Sequence, residues 1–181
     1  MIMKVLITGA KGFIGSNLAL RLNEQGEHLV LECDRDTSSD ELISMVKQAD
    51  FVVHLAGENR PKDLDLFDKN NRQFTAEICD LIVSSGRSTP IILASSTQAE
   101  RDNPYGKSKL GAEMAVTNYC NQHNGSAHIF RLPNVFGKWG LPNYNSVVST
   151  FCHNIARNLP IEIHDPTVIL DLVYIDDVVD S

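Results

Sequence analysis

The sequence predicts an α/β protein built on a doubly wound parallel sheet. Apolar, β-branched segments alternate with helical patterns, beginning with a strand at residues 4–8. A glycine-rich turn follows that strand and leads into a segment where Ile14, Leu18 and Leu22 recur at helical spacing. Strands that alternate with helices in this way form a parallel sheet covered by helices on both faces.

The remaining elements follow the same alternation. Gly26 and Gly86 stand where glycines end helices, and Asn103 followed by Pro104 is typical of a helix start. We expect further strands at residues 28–32, 51–55, 91–94, 128–132 and 170–175, and further helices around residues 40–46, 67–81, 104–115, 148–155 and from 176.

Composition sets limits on the function. A chain of 181 residues fits one domain, over residues 1–181, and the net charge of −7 argues against nucleic-acid binding. We find no signal peptide and no apolar run long enough to span a membrane. The four cysteines are widely spaced, which disfavours disulfides and a metal site and favours the reducing cytoplasm.

The turn after the first strand is a candidate phosphate site. Its glycines permit a tight turn, close approach of a pyrophosphate and close helix packing. The positive end of the following helix would meet the anion. A plain glycine turn is the alternative, but the strand–turn–helix context favours a dinucleotide. The candidate cofactor residues here are Gly9, Lys11, Gly12, Phe13, Ile14 and Gly15.

The end of the second strand bears on the choice of cofactor. Asp34 stands where an acidic residue can bind the adenine ribose hydroxyls, which favours NAD. Arg35 beside it can pair with a 2′-phosphate, which favours NADP. We expect NADPH, with NADH or NAD as the less favoured choice and a solvated charged loop as the alternative.

Tyr105 and Lys109 form a candidate catalytic pair. Residues four apart share one face of a helix, and a lysine ammonium beside a phenol should lower the phenol pKa. Ser96 or Thr97 lies just past the preceding strand, where parallel sheets bind ligands, and could hold a substrate carbonyl. The spacing leaves the choice between these two hydroxyls open.

Together these motifs resemble the extended short-chain dehydrogenase/reductase family, also called the NAD-dependent epimerase/dehydratase family. The resemblance implies a Rossmann-type fold with a catalytic Tyr105, Lys109 and Ser96. It departs from the family after the second strand, where the usual third strand–helix unit is shortened or missing, and in a short gap between Ser96 and Tyr105. The motifs that carry it are residues 7–15, 53–57, 71, 95–97, 103–109, 131–137 and 171–177.

The same resemblance implies further roles. Leu55, Ala56 and Gly57 would line the cofactor, Asn134 would face the substrate, and His54 would be a buried structural residue. Residues 57–61, 103–105, 136–139 and 142–146 are similar to bacterial capsule-biosynthesis reductases acting on UDP-2-acetamido-2,6-dideoxy-hexos-4-uloses, in which a cupin domain follows. On that likeness Arg60, Asn143 and Asn145 are substrate candidates. The chain would lack the cupin domain and the end of the reductase domain, and a homodimer is expected.

The resulting hypothesis is NADPH-dependent reduction of the 4-keto group of such a sugar, on the way to UDP-N-acetyl-L-fucosamine. A 4,6-dehydratase is disfavoured, because the family's Asp-Glu pair is replaced by Thr97-Gln98 or Gln98-Ala99. An NAD-dependent 4-epimerase stays open. So does a non-enzymatic dinucleotide sensor, since a fold alone does not fix a function.

Overall fold

The structure, a computed structural model, describes residues 2–144, 146–163 and 165–181. It divides into two compact units, the first ending at Arg131 and the second beginning at Leu132. That residues 1–181 form one domain stays a prediction. The division arises because the last two strands of the chain pair with each other rather than with the main sheet.

The first unit contains a five-stranded sheet in the order β2-β1-β3-β4-β5. The pairings of β1 with β2, β1 with β3, and β3 with β4 are parallel. The chain therefore moves from β1 to one neighbour and then crosses to the other side, as predicted for a doubly wound sheet. The strands are β1 (Met3–Thr8), β2 (His28–Cys33), β3 (Phe51–His54), β4 (Ile91–Ser96) and β5 (Ala127–Leu132).

The helices of this unit follow the predicted order, with one irregularity. The expected helix around residues 67–81 contains a π-helical turn, Asp68–Gln73, between two α-helical parts. Only α2 lies between β2 and β3, so the expected shortening after the second strand is confirmed. The helices are α1 (Phe13–Gln25), α2 (Ser39–Gln48), α3 (Asp65–Phe67), α4 (Phe74–Ser84) and α5 (Pro104–His123), and a 3-10 turn (Thr97–Glu100) precedes α5.

Alternation along β1 explains why both faces of the sheet are covered. Val5 and Ile7 belong to a core cluster that includes Ala19 of α1. Leu6 points to the opposite face, into a larger cluster with residues of α2, α4 and α5 such as Ile78. A strand apolar on both faces is the pattern of a parallel sheet buried between helix layers.

Local signals fix several helix ends. Gly26 ends α1 with φ of 68°, a left-handed conformation that glycine adopts at little cost. Ser38 begins α2 with a capping box, because its side chain accepts from the Glu41 backbone N–H and the Glu41 carboxylate accepts from the Ser38 backbone N–H. Asn103 caps α5 in the predicted way, by accepting from the Gly106 N–H at 2.8 Å.

The second unit is small. Two short parallel strands, β6 (Asn134–Phe136) and β7 (Leu172–Tyr174), pair with each other. The helices are α6 (Val147–Ile155) and α7 (Ile175–Val179). β6 is absent from the sequence prediction, because three residues give too short a pattern. Among the described residues, no helix is both long and apolar enough to cross a membrane.

The capping box of α2 can be tested directly. Ser38→Ala should lower the free energy of unfolding by about 1 kcal/mol, because the Glu41 N–H loses its acceptor. Ser44→Ala is the matched control on the same helix, since its exposed hydroxyl contacts the Gln48 side chain. Urea unfolding checks both variants, and equal effects would contradict a specific capping role.

Candidate functional site

The site lies where the strand order reverses. Because β2 and β3 flank β1 on opposite sides, a crevice opens beyond the carboxyl ends of β1 and β3, at Thr8 and His54. A cleft of about 620 Å³ occupies this place, a volume typical of small-molecule sites. Its lining residues are Gly9, Lys11, Gly12, Cys33, Asp34, Arg35, Thr37, Ser39, Leu42, Leu55, Ala56, Gly57, Glu58, Asn70, Phe74 and Glu77.

The glycine turn has the geometry that a phosphate site needs. Gly9 has φ of 71°, and a Cβ added there would lie 2.8 Å from the Ala56 backbone nitrogen. A Cβ on Gly15 would collide with the Gly9 carbonyl oxygen. The turn is thus compressed between β3 and α1. Phe13, Ile14 and Gly15 form the first turn of α1, where backbone N–H groups have no acceptor within the helix.

Charged residues at the end of β2 are already paired. Asp34 accepts from the backbone N–H groups of Lys11 and Arg35, each at 2.7 Å. The Lys11 ammonium pairs with Asp36 at 2.9 Å, and the Arg35 guanidinium pairs with Glu58 at 3.2 Å. The Arg35 side chain is 82% exposed and the Glu58 side chain 13% exposed, so the cation is free to turn toward a ligand. Asp34 shapes the turn as well as facing the cleft.

Sequence reasoning missed one wall of the cleft. Asn70, Phe74 and Glu77 line it from the π turn and α4. Their spacing of four and then three residues puts them on one helical face, and that periodicity could have identified them. The sequence pattern assigns Glu58 no role beyond its place in the family-like segment 57–61.

Asn71 links the loop after β3 to α5, the helix that carries Tyr105 and Lys109. Its side chain accepts from the Glu58 N–H at 2.7 Å and donates to the Glu58 carbonyl at 3.0 Å. It also donates to the Ser108 hydroxyl at 2.8 Å. Asn71 is 1% exposed, so loss of these bonds would leave buried polar groups unsatisfied.

His54 is a buried structural residue, as the resemblance implied. Thr75 donates to the Asn71 carbonyl, so its oxygen accepts from His54 Nε2–H at 3.0 Å. His54 Nδ1 then accepts from the Thr8 hydroxyl at 2.7 Å. Complete burial lowers the His54 pKa to about 3, with a smaller effect from Lys109, and keeps the ring neutral.

Ser96, Tyr105 and Lys109 meet at the end of β4. The Ser96 hydroxyl, at a residue 8% exposed, hydrogen-bonds the Tyr105 side chain, whereas Thr97 is exposed. The Lys109 ammonium donates to the Ala94 carbonyl at 2.6 Å. A Cβ on Gly57 would lie 3.9 Å from the Lys109 Nζ, so the lysine borders the cleft. Geometry therefore favours Ser96 over Thr97.

The pKa values differ from the sequence expectation. Burial raises the pKa of Tyr105, and the Ser96 hydrogen bond offsets this only in part. The expected lowering by Lys109 is thus contradicted, because desolvation of the phenolate dominates. Burial also lowers the pKa of Lys109 to about 8. A Tyr105 that stays protonated at neutral pH is in the form that donates a proton.

The residues predicted to contact the substrate are spread over both units of the chain. Arg60 is an exposed residue two positions after Glu58. Asn134 begins β6, and the Asn143 N–H donates to the Thr150 hydroxyl at 2.8 Å within the second unit. Asn145 lies outside the described residues. A substrate role for all four stays a prediction.

A profile of the NAD dependent epimerase/dehydratase family matches residues 5–181. The chain belongs to this family. Its Rossmann-type parallel sheet is the fold expected for this family. The roles of the glycine turn, Tyr105 and Lys109 stay predictions.

Two similar proteins are considerably longer than this chain. A UDP-2-acetamido-2,6-beta-L-arabino-hexul-4-ose reductase of Pseudomonas aeruginosa is 48% identical over 177 residues, which cover 98% of this chain and 48% of the relative. The crystal structure of the capsular polysaccharide assembling protein CapF from Staphylococcus aureus has a TM-score of 0.84 at 42% identity, covering 98% of this chain and 47% of that one. The chain therefore spans about half the length of these relatives.

A UDP-glucuronic acid 4-epimerase from Bacillus cereus, solved in complex with NAD, shares the fold. The match has a TM-score of 0.86 at 22% identity and covers 98% of the present chain and 72% of the epimerase chain. At this identity the likeness extends to the fold alone.

Alanine substitutions at Gly9 and Gly26 test whether the glycine turn binds the dinucleotide. The pair separates the effect of crowding at the turn from the effect of a positive φ. Gly9→Ala should weaken dinucleotide binding at least about tenfold, because the new Cβ meets the backbone of Ala56 beside the phosphate turn. Gly26→Ala is the matched control, with a similar φ of 68° and open space around its Cβ. Fluorescence titration with NADPH checks both, and an equal loss of affinity would contradict the assignment of the turn.

Proposed function

We propose that this chain is the dinucleotide-binding part of a nucleotide-sugar reductase that reduces a 4-keto group with NADPH. The observation that carries the proposal is the meeting of Ser96, Tyr105 and Lys109 at the end of β4, beside a cleft lined by the glycine turn. These residues provide a proton donor, a hydroxyl for a carbonyl oxygen and a cation at one place.

The residues would divide the chemistry as follows. A bound nicotinamide supplies the hydride for C4 of the sugar. Tyr105 donates a proton to the oxygen formed there, and the Ser96 hydroxyl stabilises its developing charge. Lys109, at the border of the cleft near Gly57, binds the nicotinamide ribose.

The substrate class follows from similarity. The Pseudomonas aeruginosa relative, at 48% identity, is a UDP-2-acetamido-2,6-beta-L-arabino-hexul-4-ose reductase. We therefore propose a UDP-2-acetamido-2,6-dideoxy-hexos-4-ulose as the substrate, in the biosynthesis of UDP-N-acetyl-L-fucosamine for capsular or surface polysaccharide. Arg60, Asn134, Asn143 and Asn145 are the proposed contacts to this sugar nucleotide.

The cofactor form is proposed from charge. Asp34 already accepts two backbone N–H groups, which reduces its capacity for ribose hydroxyls. Lys11 and Arg35 bring two exposed cations to the same rim of the cleft. A 2′-phosphate would compete with Asp36 and Glu58 for them, since guanidinium matches phosphate geometry.

The turn after Ser96 argues against a dehydratase. Thr97, Gln98 and Ala99 carry no carboxylate, and the first acidic residue, Glu100, pairs with Arg131 at 2.8 Å. Loss of water from a sugar needs an acid and a base next to the catalytic hydroxyl. Reduction needs a hydride from the bound dinucleotide, a proton donor and a group that stabilises the oxygen, and Tyr105 and Ser96 would fill the last two roles.

Partners and compartment are part of the proposal. A groove between α4 and α5 is lined by residues such as Cys79, Met114 and Tyr119, and Met114 is 58% exposed. These helices are the surfaces proposed for a homodimer. A reducing cytoplasm is proposed from the wide spacing of the four cysteines.

Tyr105→Phe tests the proton donor. Net NADPH oxidation by the full protein with the 4-keto sugar nucleotide should fall at least about a hundredfold, while NADPH binding changes by less than about twofold. Absorbance and fluorescence measure the two quantities. Unchanged turnover in Tyr105→Phe would remove Tyr105 from the mechanism. In the unsubstituted protein, conversion of the sugar without net oxidation would indicate an epimerase, and cofactor binding with no conversion would favour the sensor.

Arg35→Ala tests the cofactor assignment. NADPH affinity should fall roughly tenfold or more, because a charge-assisted hydrogen bond to the 2′-phosphate is lost, while NADH affinity should be nearly unchanged. Arg87→Ala is the control, since Arg87 pairs with Asp50. Competition titrations measure both cofactors, and a parallel loss for NADPH and NADH would refute a contact to the phosphate.

A further inference from the structure

Three consecutive residues at the end of β4 each contact a residue on one face of α5. The α5 residues are four apart, so they recur on successive turns of the same face. The first turn carries Tyr105 and the second carries Lys109, the two residues of the proposed mechanism. The third turn carries the carboxylate of Glu113. The pairs are Ser96 with Tyr105, Ala94 with Lys109, and Ser95 with Glu113.

Glu113 is buried and fully engaged. It is 7% exposed and accepts a short hydrogen bond from the Ser95 hydroxyl. The Arg131 guanidinium donates to both carboxylate oxygens, from Nε to Oε1 at 2.9 Å and from Nη2 to Oε2 at 2.7 Å. Arg131 also reaches Glu100 at the surface. A buried carboxylate held this well fixes the position of the helix turn that carries it.

Lys109 sits one helical turn before Glu113 and is also 7% exposed. Two ionisable groups interact with it electrostatically, Glu113 on the same helix and His54 of β3. Tyr105 lies one turn before it on α5, and Arg131 of β5 contacts Glu113. His54 is neutral, and the Tyr105 pKa is raised. Glu113 raises the Lys109 pKa against the lowering by burial. Its charge thus acts on the buried ammonium from one helical turn away and offsets part of the effect of burial.

We propose that Glu113 is a positioning residue of the Tyr105/Lys109 site, which sets α5 against the end of β4 and supplies the counter-charge of Lys109. Ser95 and Arg131 hold the carboxylate in place. The ion pair therefore serves the site and not only the fold. The expected effect of Glu113 on turnover rests on the proposed function. Its expected effect on the charge of Lys109 does not depend on that function.

The charge of Lys109 can be measured without substrate. The full protein, labelled with ¹³C at lysine, is titrated by NMR, and the Lys109 signal is assigned by its loss in Lys109→Arg. Glu113→Gln should move the Lys109 midpoint further below its value of about 8, because the anion is gone. Glu100→Gln, which removes only the exposed partner of Arg131, should leave the midpoint unchanged.

The direction of the shift separates the two roles. If Glu113 only held the fold together, its loss would loosen the site, hydrate Lys109 and move the midpoint upward. An upward or absent shift would therefore overturn the proposal. If Glu113→Gln does not fold, Glu113→Asp takes its place, with a smaller downward shift because its carboxylate lies further from Lys109.

Turnover provides the second readout. In Glu113→Gln the alkaline limb of the kcat profile should move to lower pH, with a loss on the order of tenfold at mildly alkaline pH and a smaller loss at mildly acidic pH. A uniform loss at all pH values would contradict the counter-charge role. A lowered Lys109 midpoint in a protein that converts no nucleotide sugar would refute the proposed function while leaving the role of Glu113 intact.

Discussion

The buried ammonium of Lys109 is the constraint on which much of the first unit depends. A buried cation is costly unless polar groups compensate it. Here the Ala94 carbonyl accepts a hydrogen bond from the ammonium, and the charge of Glu113 acts on it from the next turn of α5. Glu113 in turn requires Arg131 and Ser95. Contacts around this one buried cation thus join β4, α5 and β5.

A second set of polar contacts holds the floor of the cleft. The chain of hydrogen bonds from Thr8 through His54 and Thr75 reaches the backbone of Asn71, whose side chain clamps Glu58 and Ser108. These groups link the carboxyl ends of β1 and β3 to the π turn and α5. The π turn, an irregularity often found at functional sites, is where Asn70 and Asn71 enter the site.

The interior of the site and the rim of the cleft differ in how firmly their residues are held. The glycine turn, Asn71 and the contacts between β4 and α5 are packed and hydrogen-bonded. Lys11 and Arg35, by contrast, are exposed cations in surface ion pairs, which contribute little to stability and can exchange partners. The proposed choice between cofactors can therefore be made at the rim without disturbing Tyr105 and Lys109.

The sequence by itself determined the features that depend on local pattern. Alternating strands and helices, the glycine turn, the Asn103 cap and the spacing of Tyr105 and Lys109 follow from periodicity and residue type, and the structure has them. Resemblance added the family, which the profile match confirms.

Tertiary structure decided what depends on residues distant in the chain. It brought Ser96 rather than Thr97 to Tyr105, placed Asn70 in the cleft and paired Glu113 with Arg131. It also reversed the expected direction of the Tyr105 pKa. Burial and partners across the sheet set these properties, and neither leaves a periodic signal in the sequence, because they arise only when separate elements pack together.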